Sequence, residues 1–226
     1  MTTIWRKAGG RLAPTFILFA LLFGVAAPGG VSAQSPAVSG KVPEGLEVAI
    51  FAGGCFWCIE SDFDGVPGVV RTVSGYTGGT LKSPTYEQVS AGGTGHYEAV
   101  RIYFDPKKVS YGTMLDVFWH SVDPTDAGGQ FCDRGHSYET AIFAVTPEQR
   151  RLAEDSKATL VKSGALKQPV VTPILTAGDF YPAEDYHQDY YRKNPLRYRF
   201  YRYGCGRDAR LDELWGGDAH RGITRH

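Results

Sequence analysis

The chain has 226 residues, with 24 Lys+Arg balanced by 24 Asp+Glu. That is enough for one domain with a full core, and it lacks the basic excess that a nucleic-acid partner requires. Its four cysteines are too few for a disulfide scaffold, though their even number allows two bridges.

The chain opens as a secretory signal peptide over residues 1–33. Arg6, Lys7 and Arg11 give a basic start, residues 15–27 are apolar and uncharged, and Val31-Ser32-Ala33 supplies small residues before a cut ahead of Gln34. The apolar run is short for a membrane span, and Pro28-Gly29-Gly30 interrupts any longer helix; an uncleaved anchor is the alternative. Cleavage leaves 21 basic and 24 acidic side chains, a net charge of −3. It also delivers a periplasmic or secreted protein, without stable membrane association, to a compartment where disulfides persist. Residues 34–45, rich in Ser, Pro, Val and Gly, read as a flexible linker. Residues 46–216 read as the catalytic domain and 217–226 as a C-terminal tail.

A mostly apolar run at 46–51 predicts a strand. Gly53-Gly54 breaks it, and residues 55–64 follow as a short helix closed by Gly65. Cys55 therefore sits at a helix N-terminus, where unpaired N–H groups and the dipole favour a thiolate. A strand at 69–76 ends at Gly78-Gly79. Ser83 as N-cap and Pro84 at the first helical position open a short helix through residue 91, which carries Tyr86. A glycine loop at 92–95 delivers Glu98 to the start of a strand at 99–104. Residues 110–121 are amphipathic and helical. Residues 123–137 form a long glycine-rich loop of the kind that is usually functional, carrying Cys132 and Asp133. A strand at 138–145 begins with Tyr138. Thr146-Pro147-Glu148-Gln149 starts a helix that runs to residue 163 and stops at Gly164. A strand at 170–176 precedes a strand end and acidic helix start over 179–187. From residue 194 the chain is basic and aromatic up to Gly204-Cys205-Gly206, whose glycines give Cys205 mobility. No phosphate loop or dinucleotide fingerprint occurs. The pattern predicts one mixed sheet with helices packed on it.

Cys55 and Cys58 are helix neighbours at i and i+3, close enough for a redox disulfide after slight fraying. A zinc site needs about four ligands, and neither Cys132 nor Cys205 has a nearby cysteine to complete one. A thioredoxin-like oxidoreductase also places Cys-x-x-Cys at a helix start, with Pro173 as the proline facing the sulfurs; the bulky Phe56-Trp57 spacer and the glycine-rich strands that follow count against it. A secreted binding module with two structural disulfides is the third reading.

Six stretches carry a resemblance. They are Gly54-Cys55-Phe56-Trp57-Cys58-Ile59-Glu60, Gly75-Tyr76-Thr77-Gly78-Gly79, Pro84-Thr85-Tyr86-Glu87-Gln88-Val89, Thr94-Gly95-His96-Tyr97-Glu98-Ala99-Val100, Asp133-Arg134-Gly135-His136-Ser137-Tyr138, and Phe180-Tyr181-Pro182-Ala183-Glu184-Asp185-Tyr186-His187-Gln188. In this order they resemble the A-type peptide methionine sulfoxide reductases. The resemblance implies an α+β fold, a two-layer α/β sandwich around one mixed sheet. It implies reduction of methionine S-sulfoxide, free or in proteins, without a metal or bound cofactor, with electrons from thioredoxin or a thioredoxin-like protein. Cys55 is the implied nucleophile and Glu98 the implied acid. Tyr86 and Tyr138 are implied donors to the sulfoxide oxygen, with Asp133 supporting them. Phe56 and Trp57 are the implied walls of a methyl pocket. A sulfoxide suits such a site, since it has one polar oxygen and two apolar arms around a chiral sulfur. Many family members carry Gly where this chain has Cys58, and Cys132 and Cys205 lie outside the motifs. The resolving thiol is expected in the order Cys58, Cys205, Cys132, with a relay from a Cys55–Cys58 bridge to Cys205 as a further route.

Overall fold

The computed structural model describes residues 42–224. The residues read as a signal peptide, the expected linker up to residue 41 and the last two residues of the expected tail lie outside the described residues. None of the described helices is long and apolar enough to cross a membrane.

Strand β1 (Glu47–Gly53) is the centre. Apart from Glu47 its residues are buried on both faces, so it cannot be an edge. β3 (Tyr97–Phe104) pairs on one side of it and β6 (Thr140–Ala144) on the other, both antiparallel. Outside β3 lie β2 (Val69–Thr77) and then β8 (Phe180–Pro182); outside β6 lies β7 (Ile174–Thr176), in parallel. The order β7-β6-β1-β3-β2-β8 makes the single mixed sheet that the sequence predicts.

The two-residue period of a strand sorts the core. Ala49, Phe51, Val100, Ile102, Phe104 and Ile142 face one way. Onto them pack α1 (Phe56–Asp64), α3 (Tyr111–Trp119) and, through Ala153, α4 (Pro147–Ser163). The Phe51 ring meets Phe118 at 4.9 Å and Phe63 at 5.3 Å. Val48, Ile50, Ala52, Ala99, Ala141 and Phe143 form the core of the opposite face.

Capping sets the helix starts. Thr146 accepts from the Gln149 N–H at 3.1 Å and Ser110 from that of Thr113 at 3.0 Å. The short helix α2 (Tyr86–Ser90) differs from the sequence expectation. Its cap is Thr85, not Ser83: Thr85 accepts from the Gln88 N–H, while Gln88 Oε1 accepts from the Thr85 N–H at 2.9 Å. That reciprocal capping box satisfies two N–H groups at once, and Ser83 turns the preceding chain with φ +47°.

The 123–137 segment is more ordered than a loop. It contains the hairpin β4 (Gly129–Gln130) and β5 (Asp133–Arg134), then a 3₁₀ turn at His136–Tyr138. The Gln130 amide fixes it, accepting from the Asp123 N–H at 2.9 Å and donating to the Asp123 carbonyl at 2.8 Å. The basic, aromatic C-terminal region folds as α5 (Tyr190–Lys193), α6 (Pro195–Gly204) and α7 (Arg207–Trp215).

Candidate active site

The site is built where β1 turns into α1. Gly54 has φ +83°, and a Cβ there would lie 2.5 Å from Gln130 Cβ, so only glycine fits. Cys55 follows as the N-cap of α1, buried at 7 % exposure, and Cys58 lies one turn on at 2 %. Both are free thiols.

Glu98 enters from β3, opposite Tyr76 of β2. It is buried, and its Oε2 accepts from the Phe56 N–H in the first turn of α1 at 3.0 Å. Burial pushes its carboxyl up to about 8, the Phe56 N–H opposes this, and Asp133 and Cys58 add to the rise. Glu98 therefore holds its proton at neutral pH. Tyr86 and Tyr138, both half-buried, reach the same place: both phenols are raised by burial and by Glu98, and each acts on the other.

The sulfurs depart from the sequence expectation. Burial works against the Cys55 thiolate that the helix N-terminus would favour. The first-turn N–H of Phe56 is taken by Glu98, those of Cys58 and Ile59 bond the Cys55 carbonyl, and no cap bond reaches the Cys55 side chain. Burial pushes the Cys55 thiol well up, and Cys58, Glu98 and Asp133 add to it. Cys58 moves the other way, down to about 7, through the Cys55 thiol beside it, against burial and with Arg207 and Arg202 nearby.

An aromatic wall closes the other side. Trp57 stacks on Tyr190 at 3.7 Å and 6° and meets Tyr201 edge-on at 5.6 Å. Its indole N–H donates to His187 Nδ1 at 2.9 Å. As an acceptor, Nδ1 carries no proton, and burial holds His187 down at about 4. Phe56 is fully buried, its ring 4.9 Å from that of His187. Glu184 joins the elements behind the wall, accepting from the Tyr76 hydroxyl and the Tyr86 N–H, each at 2.9 Å.

Asp133 accepts from the Tyr201 hydroxyl; burial raises its carboxyl, against that bond and Arg207. Beside it the structure joins Cys132 to Cys205. The sulfurs of Cys132 and Cys205 lie 3.9 and 3.8 Å from the Asp133 carboxylate oxygens. The sequence ranked Cys205 as a free, mobile thiol and Cys132 last; here each is the other's partner. The reading with two structural bridges does not hold, since Cys55 and Cys58 are unbridged.

Arg207, fully buried, locks α7 against the nucleophile turn. Its guanidinium donates twice to the Gly53 carbonyl at 3.1 Å and once to that of Ser121 at 2.8 Å, and lies over the Phe131 ring.

The structure thus gathers Cys55, Cys58, Glu98, Tyr86, Tyr138, Asp133, Phe56, Trp57 and Cys205 around one turn. Sequence reasoning missed Glu184, His187, Tyr190, Tyr201 and Arg207. Glu184 and His187 lie in a stretch quoted for its resemblance, where His187 reads as an ordinary helix-start hydrogen-bonding residue; the others carried no signal.

A model of the family described as peptide methionine sulfoxide reductase matches residues 47–219. The chain belongs to that family. A relative named peptide methionine sulfoxide reductase MsrA from Bacillus licheniformis is 55 % identical over 173 residues, covering 76 % of this chain and 96 % of the relative. MsrA 2 of Caulobacter vibrioides is 53 % identical over 204 residues, 89 % of this chain and 97 % of that one. Among solved structures, methionine sulfoxide reductase A of Corynebacterium diphtheriae matches with a TM-score of 0.61 and 34 % identity, over 68 % of this chain and 77 % of that one. The reduced form of Mxr1 from Saccharomyces cerevisiae matches with a TM-score of 0.62 and 27 % identity, over 68 % and 88 %. This peptide methionine sulfoxide reductase carries out thiol-dependent reduction of methionine S-sulfoxide, and the Cys132–Cys205 bridge fits a mechanism that ends in a disulfide. The family and its α+β fold replace the thioredoxin-like alternative.

Proposed function

We propose that Cys55 attacks the sulfoxide sulfur while Glu98 gives its proton to the sulfoxide oxygen. The observation that carries this is the buried Glu98 carboxyl, raised by that burial and seated on the first turn of the helix that Cys55 caps. Tyr86 and Tyr138 hold the oxygen, and Phe56 and Trp57 receive the methyl group. Cys58, one turn along α1, takes the proton that Cys55 loses on attack. The sulfide leaves as methionine, and Cys55 becomes a sulfenic acid. Cys58 then attacks the Cys55 sulfur, releasing water and forming a Cys55–Cys58 bridge. Cys205, freed beforehand by reduction, attacks that bridge, and Cys132 completes the exchange, leaving Cys132–Cys205 oxidised and both inner thiols restored. The combination of free inner and bridged outer cysteines is the state expected at the end of that sequence. Asp133, between the two outer sulfurs and Tyr201, positions the exchange.

The reductant is a thioredoxin-like dithiol protein, and the substrates are methionine S-sulfoxide in proteins or free. The signal segment exports the chain to the periplasm or beyond, without nucleic-acid or stable membrane association. The S and R epimers of N-acetylmethionine sulfoxide, supplied separately with dithiothreitol, test the reading. Sulfide should form from the S epimer alone; sulfide from neither, or equally from both, contradicts it. N-terminal sequencing of the exported protein should begin at Gln34.

A further inference from the structure

Helix α6 presents an apolar stripe to solvent. Leu196, Phe200 and Tyr203 are 80, 81 and 87 % exposed. Their spacing, four and then three residues, puts them on one helix face. The other face is turned inward: Tyr198 packs with Cys55 and Cys58, and Tyr201 meets Trp57. An isolated exposed apolar side chain needs no explanation, but three in a row at helical spacing mark a contact surface.

The stripe has a direction. Tyr203 lies two residues before Cys205, and Cys132, the other half of the bridge, is exposed. The stripe therefore runs up to an accessible disulfide. It is also flanked by charge of one sign. Residues 190–207 contain no acid. The other basic residues of this stretch are engaged: Arg192 with Asp64 and Asp189, Lys193 with the Asp185 carbonyl, Arg202 with Asp62 and Asp208, and Arg207 with two carbonyls. Arg197 and Arg199 are exposed and have no partner among the described residues.

We propose that the Leu196–Phe200–Tyr203 face of α6, with Arg197 and Arg199 at its rim, is the docking surface for the dithiol protein that reduces the Cys132–Cys205 bridge. The occupant has an apolar patch around its reactive cysteine and acidic side chains at the edge, complementing the stripe and its two free guanidinium groups. Docked on α6, it sends its thiolate to the exposed Cys132 sulfur. The Cys132–Cys205 bond breaks with its electron pair on Cys205, and a mixed disulfide forms. The partner's second thiol then attacks the partner's own sulfur in that mixed disulfide and releases Cys132. Two protons from the partner end on Cys205 and Cys132; the chain gains two electrons and the partner leaves as a disulfide.

This rests on the reading that a dithiol protein is the reductant, and the test separates the two. The oxidised protein is mixed with reduced bacterial thioredoxin as the probe, without sulfoxide, and bridge opening is followed by alkylation and mass. The same preparations are assayed for dithiothreitol-driven sulfoxide turnover. In Leu196→Glu/Phe200→Glu and in Arg197→Glu/Arg199→Glu, the second-order rate of bridge opening should fall about tenfold or more, as expected for loss of central contact residues. The KM for thioredoxin should rise with kcat kept, and dithiothreitol turnover should stay at the wild-type level, which also shows that the variants fold. Unchanged bridge opening in both variants overturns the surface assignment alone. A wild-type bridge that thioredoxin does not open, in protein that dithiothreitol turns over, overturns the reductant reading and the surface together. Sedimentation velocity and co-sedimentation with anionic vesicles complete the set. A wild-type dimer or vesicle complex abolished by Phe200→Glu, with thioredoxin kinetics untouched, gives the stripe to a second copy or to a membrane and overturns the proposal.

Discussion

In the proposed mechanism Glu98 and Cys58 divide the proton work of the site, because their surroundings move them in opposite directions. Glu98 is raised to about 8 by burial, so it is an acid at neutral pH. Cys58 is lowered to about 7 by Cys55 beside it, which suits it to take a proton. If Glu98 gives the proton as proposed, the single-turnover rate of reduction should fall as pH rises through about 8. Glu98→Gln keeps the shape and loses the proton; it should lower that rate by about 10²–10⁴ and remove the decline near pH 8. An unchanged single-turnover rate would take Glu98 out of the mechanism. In Cys58→Ser the local resolver is gone, and a sulfenic-acid trap should label Cys55 after one turnover where the wild type gives no label.

At the scale of elements, the joint between β1, α1 and α7 carries the site. Gly54→Ala meets Gln130 at 2.5 Å in a left-handed conformation and should cost about 1–3 kcal/mol in urea unfolding. Arg207→Met strands the Gly53 and Ser121 carbonyls. It should lower stability by about 1–3 kcal/mol or more, and Arg207→Lys should not restore it, because an ammonium cannot fork between two acceptors. Much at this scale is legible in the sequence. The 46–51 run, the glycine break before Cys55 and the Thr146-Pro147 start each predict the element they form, because strand alternation and capping are local. Thr85 was missed because Ser83-Pro84 offers an equally ordinary cap, and the choice falls to the Gln88 side chain. The Cys132–Cys205 pairing spans 73 residues and depends on how α6 returns to the β4–β5 hairpin, which no spacing rule encodes. Cys58, being local, drew the ranking for that reason. Tyr190 and Tyr201 were illegible on the same ground, since a tyrosine in a basic stretch carries no mark of the indole it will pack on.

Among the described residues, burial raises the Glu60 and Glu98 carboxyls well above their usual range, and the stability of the molecule should record it. Glu60 is raised to about 8 by burial and by Asp64 and Asp189, against the Asp189 N–H it accepts from; Glu98 is raised to about the same value. Both folded values lie above the ordinary carboxyl range, so the folded state binds more protons than the unfolded one between about pH 4.5 and 8. Their contribution is fully present below that window and is lost as pH rises through it. Asp208 runs the other way: burial opposes its charge, but His220 and Arg202 hold it well below the usual range, so its contribution fades as pH falls below about 3.8. Urea midpoints should therefore decline from pH 5 to 8.5, and Glu60→Gln should flatten that slope. A midpoint that climbs across the same interval would mean that these carboxyls are charged in the folded protein.

The claim that joins all three scales is that oxidation enters at Cys55 and comes to rest on Cys132–Cys205. Fully reduced protein, given one equivalent of methionine S-sulfoxide without reductant, alkylated and mapped by peptide mass, tests it in one experiment. The account predicts one methionine per chain, a Cys132–Cys205 bridge, and alkylated Cys55 and Cys58. A Cys132–Cys205 bridge that forms no faster with the sulfoxide than without it, or oxidation that remains on Cys55, would contradict the account.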